Sequence, residues 1–160
     1  MTVSANEATL QRLHAAFARR DGTTMAACYH ADAHFRDPIF DLRGNEIGAM
    51  WRMLCSRSNE LRIESTGLQV DGDSGRADWQ AWYPFSMTGR KVHNIVHSDY
   101  RFRDGLIVEQ VDAFPFWRWS RQALGTSGLL LGWTPLLQNK VRASANKALH
   151  HYISSSPASH

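Results

Sequence analysis

The segment GRKVHNIVHSDYRFRDGLIVEQVDAFP, residues 89–115, decides the fold. Two runs with the period-two pattern of strands flank Asp104-Gly105, a dipeptide that favours a tight hairpin turn. Working outward, the same periodicity starts after residue 59. It predicts strands at about 61–70, 76–86, 90–102 and 106–114. Asp71 to Gly75 and Thr88-Gly89 supply the other turns. Pro84 conflicts with the second strand, because proline gives no ladder donor, and it predicts a bulge or an edge position there.

On the N-terminal side the period changes. Leu10, Leu13, Ala16 and Phe17 have helical spacing within residues 4–20. Asp21-Gly22 breaks that run, and Asp21 can cap a short helix from about Thr23 to Tyr29. His34 to Asp37 alternates like a strand and stops at Pro38, and residues 44–57 return to helical spacing. Helices followed by a run of antiparallel strands predict an α+β fold. Beyond the strands, Pro115 can begin a helix and Gly125 can end it. Residues 126–134 read as an apolar, Gly-rich loop, and a last helix from Pro135 carries the stripe Leu137, Val141, Ala145, Ala148, Tyr152. Burying a leucine is worth about 1.5–3 kcal/mol, so Leu129 to Trp133 is expected to pack on the domain.

Six Trp, seven Phe and four Tyr are many for 160 residues, and such rings either fill a core or line a pocket for flat or apolar ligands. The net charge of +3 is unevenly spread. From Pro115 onward there is no Asp or Glu, against Arg118, Arg121, Lys140, Arg142 and Lys147. A solvated helix face explains such thin spacing better than a nucleic-acid surface does, and no nucleic-acid partner is expected. The longest apolar run is too short for a transmembrane segment. Met1 to Leu10 has neither the basic nor the apolar region of a secretory signal, so a cytoplasmic location with Cys28 and Cys55 as free thiols is expected. His93 and His97 have helical metal-pair spacing, but on a strand they stand about 13 Å apart. No phosphate loop, GxSxG or CxxC occurs, and no cofactor is expected.

The order of elements, with the stretches CYHADAHFRDPIFDLRGNEIGAMW (28–51), GRKVHNIVHSDYRFRDGLI (89–107) and FPFWRWSRQALG (114–125), resembles the nuclear transport factor 2-like superfamily, in its SnoaL-like and ketosteroid isomerase-like branch. The resemblance implies a cone-shaped curved antiparallel sheet wrapped by N-terminal helices round an apolar pocket. It implies a domain over residues 1–117 and a helical extension over 118–160 packed on that domain. It also sets which side of each strand faces the pocket, and period two does the rest. Phe35, Trp79, Tyr83, Phe85, Asn94, Val96, Ser98, Gln110 and Phe114 are the expected pocket residues. Outward fall Trp82, Ile95 and Val111, with the polar residues that alternate between them.

Asp37 stands at the place of the isomerases' general base, where Pro38 biases it to an extended backbone. A carboxylate among aromatic rings has a raised pKa, which suits proton transfer. Its alternative role is to hold the backbone of the strand-to-loop turn. Asp112 stands where limonene epoxide hydrolase has a catalytic acid, and two inward carboxyls tend to push their pKa values apart. Its alternative is a solvent-facing group or an ion pair with Arg118. The resemblance has gaps: Leu13 and Ser98 replace the isomerase's oxyanion donors, and Trp79 and Ala81 replace the hydrolase's Arg and Asp. Neither named reaction has its full set of groups.

Three functions follow. One is a cofactor-free isomerase, cyclase or dehydratase acting on a small hydrophobic or polycyclic substrate through Asp37 and Asp112. The second is a non-catalytic module that binds a hydrophobic small molecule. The third is an interaction protein whose outer sheet face and basic tail dock a partner or a membrane. The apolar outward set predicts a homodimer through the outer sheet face, burying roughly 1,600 Å² in total.

Overall fold

The computed structural model describes residues 3–57 and 59–155. It is an α+β fold. Helices α1 (Ala5–Ala18) and α2 (Gly22–Ala26) precede strands β1 (Tyr29–Arg36) and β2 (Asp41–Arg43). Helix α3 (Asn45–Arg57) leads into the meander β3 (Arg62–Asp71), β4 (Ser74–Pro84), β5 (Lys91–Arg103) and β6 (Leu106–Ala113). Helices α4 (Phe116–Leu124), α5 (Thr126–Leu131) and α6 (Pro135–Ser155) follow.

The strands form one sheet in the order β2-β1-β6-β5-β4-β3. Every pairing is antiparallel except β1 with β6, which is parallel. Along β5 the alternation translates directly into burial, whereas β3 is mostly exposed. Val92, Asn94, Val96, Ser98, Tyr100 and Phe102 of β5 are buried, and the residues between them are exposed or half-buried. Helices α1 and α3 cover that buried face. Phe17 of α1 packs its ring 5.0 Å from Trp51 of α3 and 5.1 Å from Trp79 of β4.

Local chemistry sets the element ends. The Ser4 hydroxyl accepts from the Glu7 N–H at the start of α1, and Asp21 accepts from the Thr24 N–H at the start of α2. Pro84 closes β4 where β3 no longer accompanies it, since β3 begins with Arg62 opposite Trp82. Its missing N–H therefore interrupts no ladder on that side. The bulge lies in β3 instead, between Thr66 and Gln69, where Gly67 has a φ of +61°.

Four expectations are corrected. The second helix ends at Ala26, and β1 begins already at Tyr29. A register shift between Tyr29 and His34 had broken the alternation there. Strand β2, three residues long, had too little pattern to register. The segment 126–134 is not all loop, because it contains α5. Finally, Leu129, Leu130, Leu131 and Trp133 are exposed, not packed on the domain. Helix α6 does reach the core: Leu149 is fully buried, and Ala145, Tyr152 and Ile153 pack beside it.

Candidate functional site

A cavity of about 850 Å³ lies between the concave sheet face and helices α3, α4 and α6. Its wall is mostly apolar. Trp79, Ala81, Tyr83, Phe85, Val96 and Phe114 come from the sheet and the residues next to it. Met50, Trp51 and Leu54 come from α3, Trp119 from α4, and Leu137, Val141, Ala145 and Ala148 from the stripe of α6.

Of the three acidic residues that line it, Glu60 is exposed, whereas Asp37 and Asp112 are shielded from solvent. Asp37 follows the last residue of β1. Its Oδ1 accepts from the N–H groups of Ile39 at 2.7 Å and Phe40 at 2.6 Å, which closes the turn into β2. The turn-holding role weighed for Asp37 is thus filled by one oxygen. Oδ2 takes no hydrogen bond among the described residues. Since no buried side-chain oxygen there lacks a partner, Oδ2 is accessible from the cavity. Burial pushes the Asp37 carboxyl up to about 6, against the two N–H donors and the nearby Arg142 cation, which pull it down. Arg142 belongs to α6 and donates from Nε to the Pro38 carbonyl at 2.8 Å, so the extension braces the Asp37 turn.

Asp112 is held from behind. The Ser98 hydroxyl donates to its Oδ1 at 2.5 Å and the Gln110 amide donates to the same oxygen at 2.9 Å. Trp79 donates from its indole to the Ser98 hydroxyl at 2.8 Å. On the other side the Tyr29 hydroxyl donates to Gln110 Oε1 at 2.5 Å and accepts from the Trp51 indole at 2.9 Å. This chain leaves Oδ2 as the oxygen of Asp112 toward the cavity. Burial pushes the carboxyl up to about 7, the Ser98 and Gln110 donors oppose it, and the charge on Asp37 raises it further. No ion pair joins Asp112 to Arg118 among the described residues.

Tyr83 and Asn94 are uncharged polar groups of the same wall, which also carries Arg57, Lys140 and several hydroxyl side chains. Tyr83 accepts from the Trp119 indole at 2.9 Å, and no acceptor takes its own hydroxyl hydrogen among the described residues. Burial pushes this phenol up to about 12, so it keeps its proton. Asn94 lines the cavity, and its amide has no hydrogen-bond partner among the described residues. Phe35, Ser98 and Gln110 are not on the wall. Phe35 packs against Trp51 at 5.7 Å between ring centres, and the other two stand behind Asp112. Tyr29, Trp51 and Trp119 were missed as contributors. Trp51 and Trp119 lay in recognised helices whose facing was not resolved, and Tyr29 was assigned to a helix.

No group of three or more His, Cys, Asp or Glu residues with metal-holding geometry occurs among the described residues. His93 bonds Gln80 at 2.7 Å, and His97 bonds Asp78 at 2.8 Å, each on the outer face.

The family model of the SnoaL-like domain matches residues 10–110. The chain belongs to this family. No curated protein matches the sequence. Among solved structures, the SnoaL-like chain is similar to AclR from Streptomyces galilaeus. The identity is 17%, with 97% of this chain and 100% of the other covered and a TM-score of 0.62. It is similar to a protein of ketosteroid isomerase-like fold from Catenulispora acidiphila, solved with trimethylamine. There the identity is 15%, the coverage 79% and 97%, and the TM-score 0.64. An LEH-like epoxide hydrolase from M. tuberculosis matches at 18% identity, with coverage of 83% and 95% and a TM-score of 0.57. At these identities the likeness establishes the fold, which in this superfamily carries many chemistries.

Proposed function

We propose that the cavity takes a small apolar, cyclic molecule and that Asp37 and Asp112 move a proton on it without a cofactor. The supporting observation is that two carboxyls with pKa values raised to about 6 and about 7 share one cavity wall with an unclaimed hydroxyl hydrogen on Tyr83. Near pH 7 Asp37 is mostly ionised and Asp112 is partly protonated, which divides the pair into a base and an acid. In this reading Oδ2 of Asp37 takes a proton from a carbon next to a carbonyl group. The carbonyl oxygen becomes an enolate oxygen and accepts a hydrogen bond from Tyr83 or from protonated Asp112. Return of the proton to a different carbon gives an isomer. Its return after a carbon–carbon bond has closed gives a cyclised product, and loss of a hydroxyl group as water gives a dehydrated one.

A second reading is a binding module that uses the same cavity without turnover. Its support is that Asp37 already has a structural task on Oδ1, and that Asn94 offers an unpaired amide to a ligand. The solved relative with trimethylamine supports a small-molecule occupant under either reading. A cytoplasmic setting fits Cys28 and Cys55, which stand as free, buried thiols.

Exchange of carbon-bound hydrogen separates the two readings before the natural substrate is found. A panel of apolar cyclic ketones is incubated in D2O with the protein, and mass spectrometry follows deuterium uptake. Catalysed uptake that disappears in Asp37→Asn supports the enzyme. Ligand-induced stabilisation with no uptake across the panel favours the binding module.

A further inference from the structure

The segment from α5 to the first turn of α6 turns its apolar side chains to water. Leu130 is 62% exposed, Trp133 69% and Leu136 80%, with Leu129 at 47% and Leu131 at 50%. An ordinary surface helix does the reverse. The cause lies in two glycines four residues apart. A Cβ on Gly128 would stand 1.9 Å from the Ser120 carbonyl oxygen, and one on Gly132 would stand 2.1 Å from the Ser120 hydroxyl oxygen. Seating both glycines on α4 fixes the rotation of this segment and sends the leucines outward. The indole N–H groups are satisfied within the tip. Trp117 donates to the Leu129 carbonyl at 3.1 Å and Trp133 to the Leu130 carbonyl at 3.0 Å. Both rings can therefore enter an apolar phase without an orphaned donor.

Charge selects the occupant. No acidic residue follows Pro115 in the sequence. The Arg121 guanidinium lies 4.9 Å over the Trp117 ring, Arg90 stands beside Gly125, and Lys140 comes one turn after Leu136. A second copy seated on the same patch by a two-fold axis would set these cations against their own equivalents. An anionic surface attracts every one of them.

We propose that this tip docks into the interface of an anionic lipid bilayer. The contact is peripheral, since no helix among the described residues is long and apolar enough to cross a membrane. Leucines and Trp133 sit at the level where headgroups meet acyl chains, with the basic residues among the headgroups. Ser127, Leu137 and Lys140 belong both to this region and to the cavity wall, so docking brings that wall to the lipid. The proposal does not depend on what the cavity holds.

The test is co-sedimentation of the full chain with vesicles of phosphatidylcholine alone and of phosphatidylcholine with phosphatidylserine. Binding is expected to the second kind and to weaken as salt is raised. Leu130→Asp and Leu136→Asp should each lower the partition coefficient at least about tenfold. Both side chains already stand in water, so the melting temperature should not change. The proposal is overturned by three results: no binding to phosphatidylserine vesicles, binding that both variants leave intact, or light scattering in which Leu130→Asp dissociates a wild-type dimer. The last result would assign the tip to a second copy.

Discussion

An aspartate with one oxygen in a turn and the other in a cavity can be altered in two ways that separate its roles. Asparagine at position 37 keeps an Oδ1 acceptor for Ile39 and Phe40, whereas alanine leaves both N–H groups unpaired. Under the proposed reading Asp37→Asn should abolish turnover with stability at pH 8 equal to or above the wild type, since ionising this raised carboxyl costs the folded state, while Asp37→Ala should lie roughly 1–3 kcal/mol below Asp37→Asn in urea unfolding. Asp112 makes a prediction in pH. Its carboxyl is raised to about 7, so between pH 4 and 7 the folded state holds a proton that the unfolded state releases. Stability falls as pH rises through that window, and the penalty is complete above it. Asp112→Asn can retain the Ser98 and Gln110 bonds on Oδ1 and removes the penalty. Its melting temperature should exceed the wild type by on the order of 5 °C at pH 8 and converge with it near pH 4. His14 has the opposite slope. Burial between Ser65 and Tyr100 lowers it to about 4, so the folded imidazole stays neutral while the unfolded one is protonated. That stability is whole above about pH 6.5 and is lost as pH falls toward 4, worth roughly 3 kcal/mol. His14→Gln should flatten the acid limb of the stability profile. Asp112, Tyr83 and Asn94 were legible as one wall because the family resemblance chose the inward side and alternation leaves a strand residue only two sides. His14 went unread although it lies on the stripe of Leu10, Leu13 and Phe17. A polar residue at a core position gives no hydropathy signal.

At the scale of elements, two helices of the extension reach the core, α4 through Trp119 and Ala123 and α6 through Leu149. Leu149 is fully buried there, and Leu→Ala at such a site costs about 2–5 kcal/mol. Leu149→Ala should show that loss in urea unfolding, and deletion of residues 126–160 should also open the cavity to an apolar fluorescent dye. An unchanged melting temperature after the deletion would mean that the extension is an independent element. The four long strands were legible because each has at least eight residues of strand pattern and a turn at one end or both. Strand β2 and helix α5 were not, for different reasons. Asp41–Arg43 has one apolar residue, Leu42, which gives no period. Helix α5 carries Gly128, whose low helix propensity suggests a loop, yet the glycine is what permits close packing on α4.

For the whole molecule, the outer face of the sheet is the remaining apolar surface. Ile95 is 47% exposed at its middle, and Trp82 stacks on His93 at 4.7 Å, with the Arg62 guanidinium over the Trp82 ring at 4.2 Å from its centre. A homodimer through this face should form, and Ile95→Lys should shift light scattering from dimer to monomer at micromolar concentration. A wild-type monomer at that concentration would remove the expectation. The parallel seam between β1 and β6 governs how the molecule comes into being. Phe35 pairs with Gln110, and nothing made in between can take Gln110's place beside β1. On the ribosome, the pair β1–β2 and the meander from β3 to β5 can each form as they emerge, while the other edge of β1, just before Asp37, waits open for β6 to leave the exit tunnel. The two acids of the cavity are therefore brought together in one late event, and a nascent chain halted before β6 lacks both the seam and Asp112.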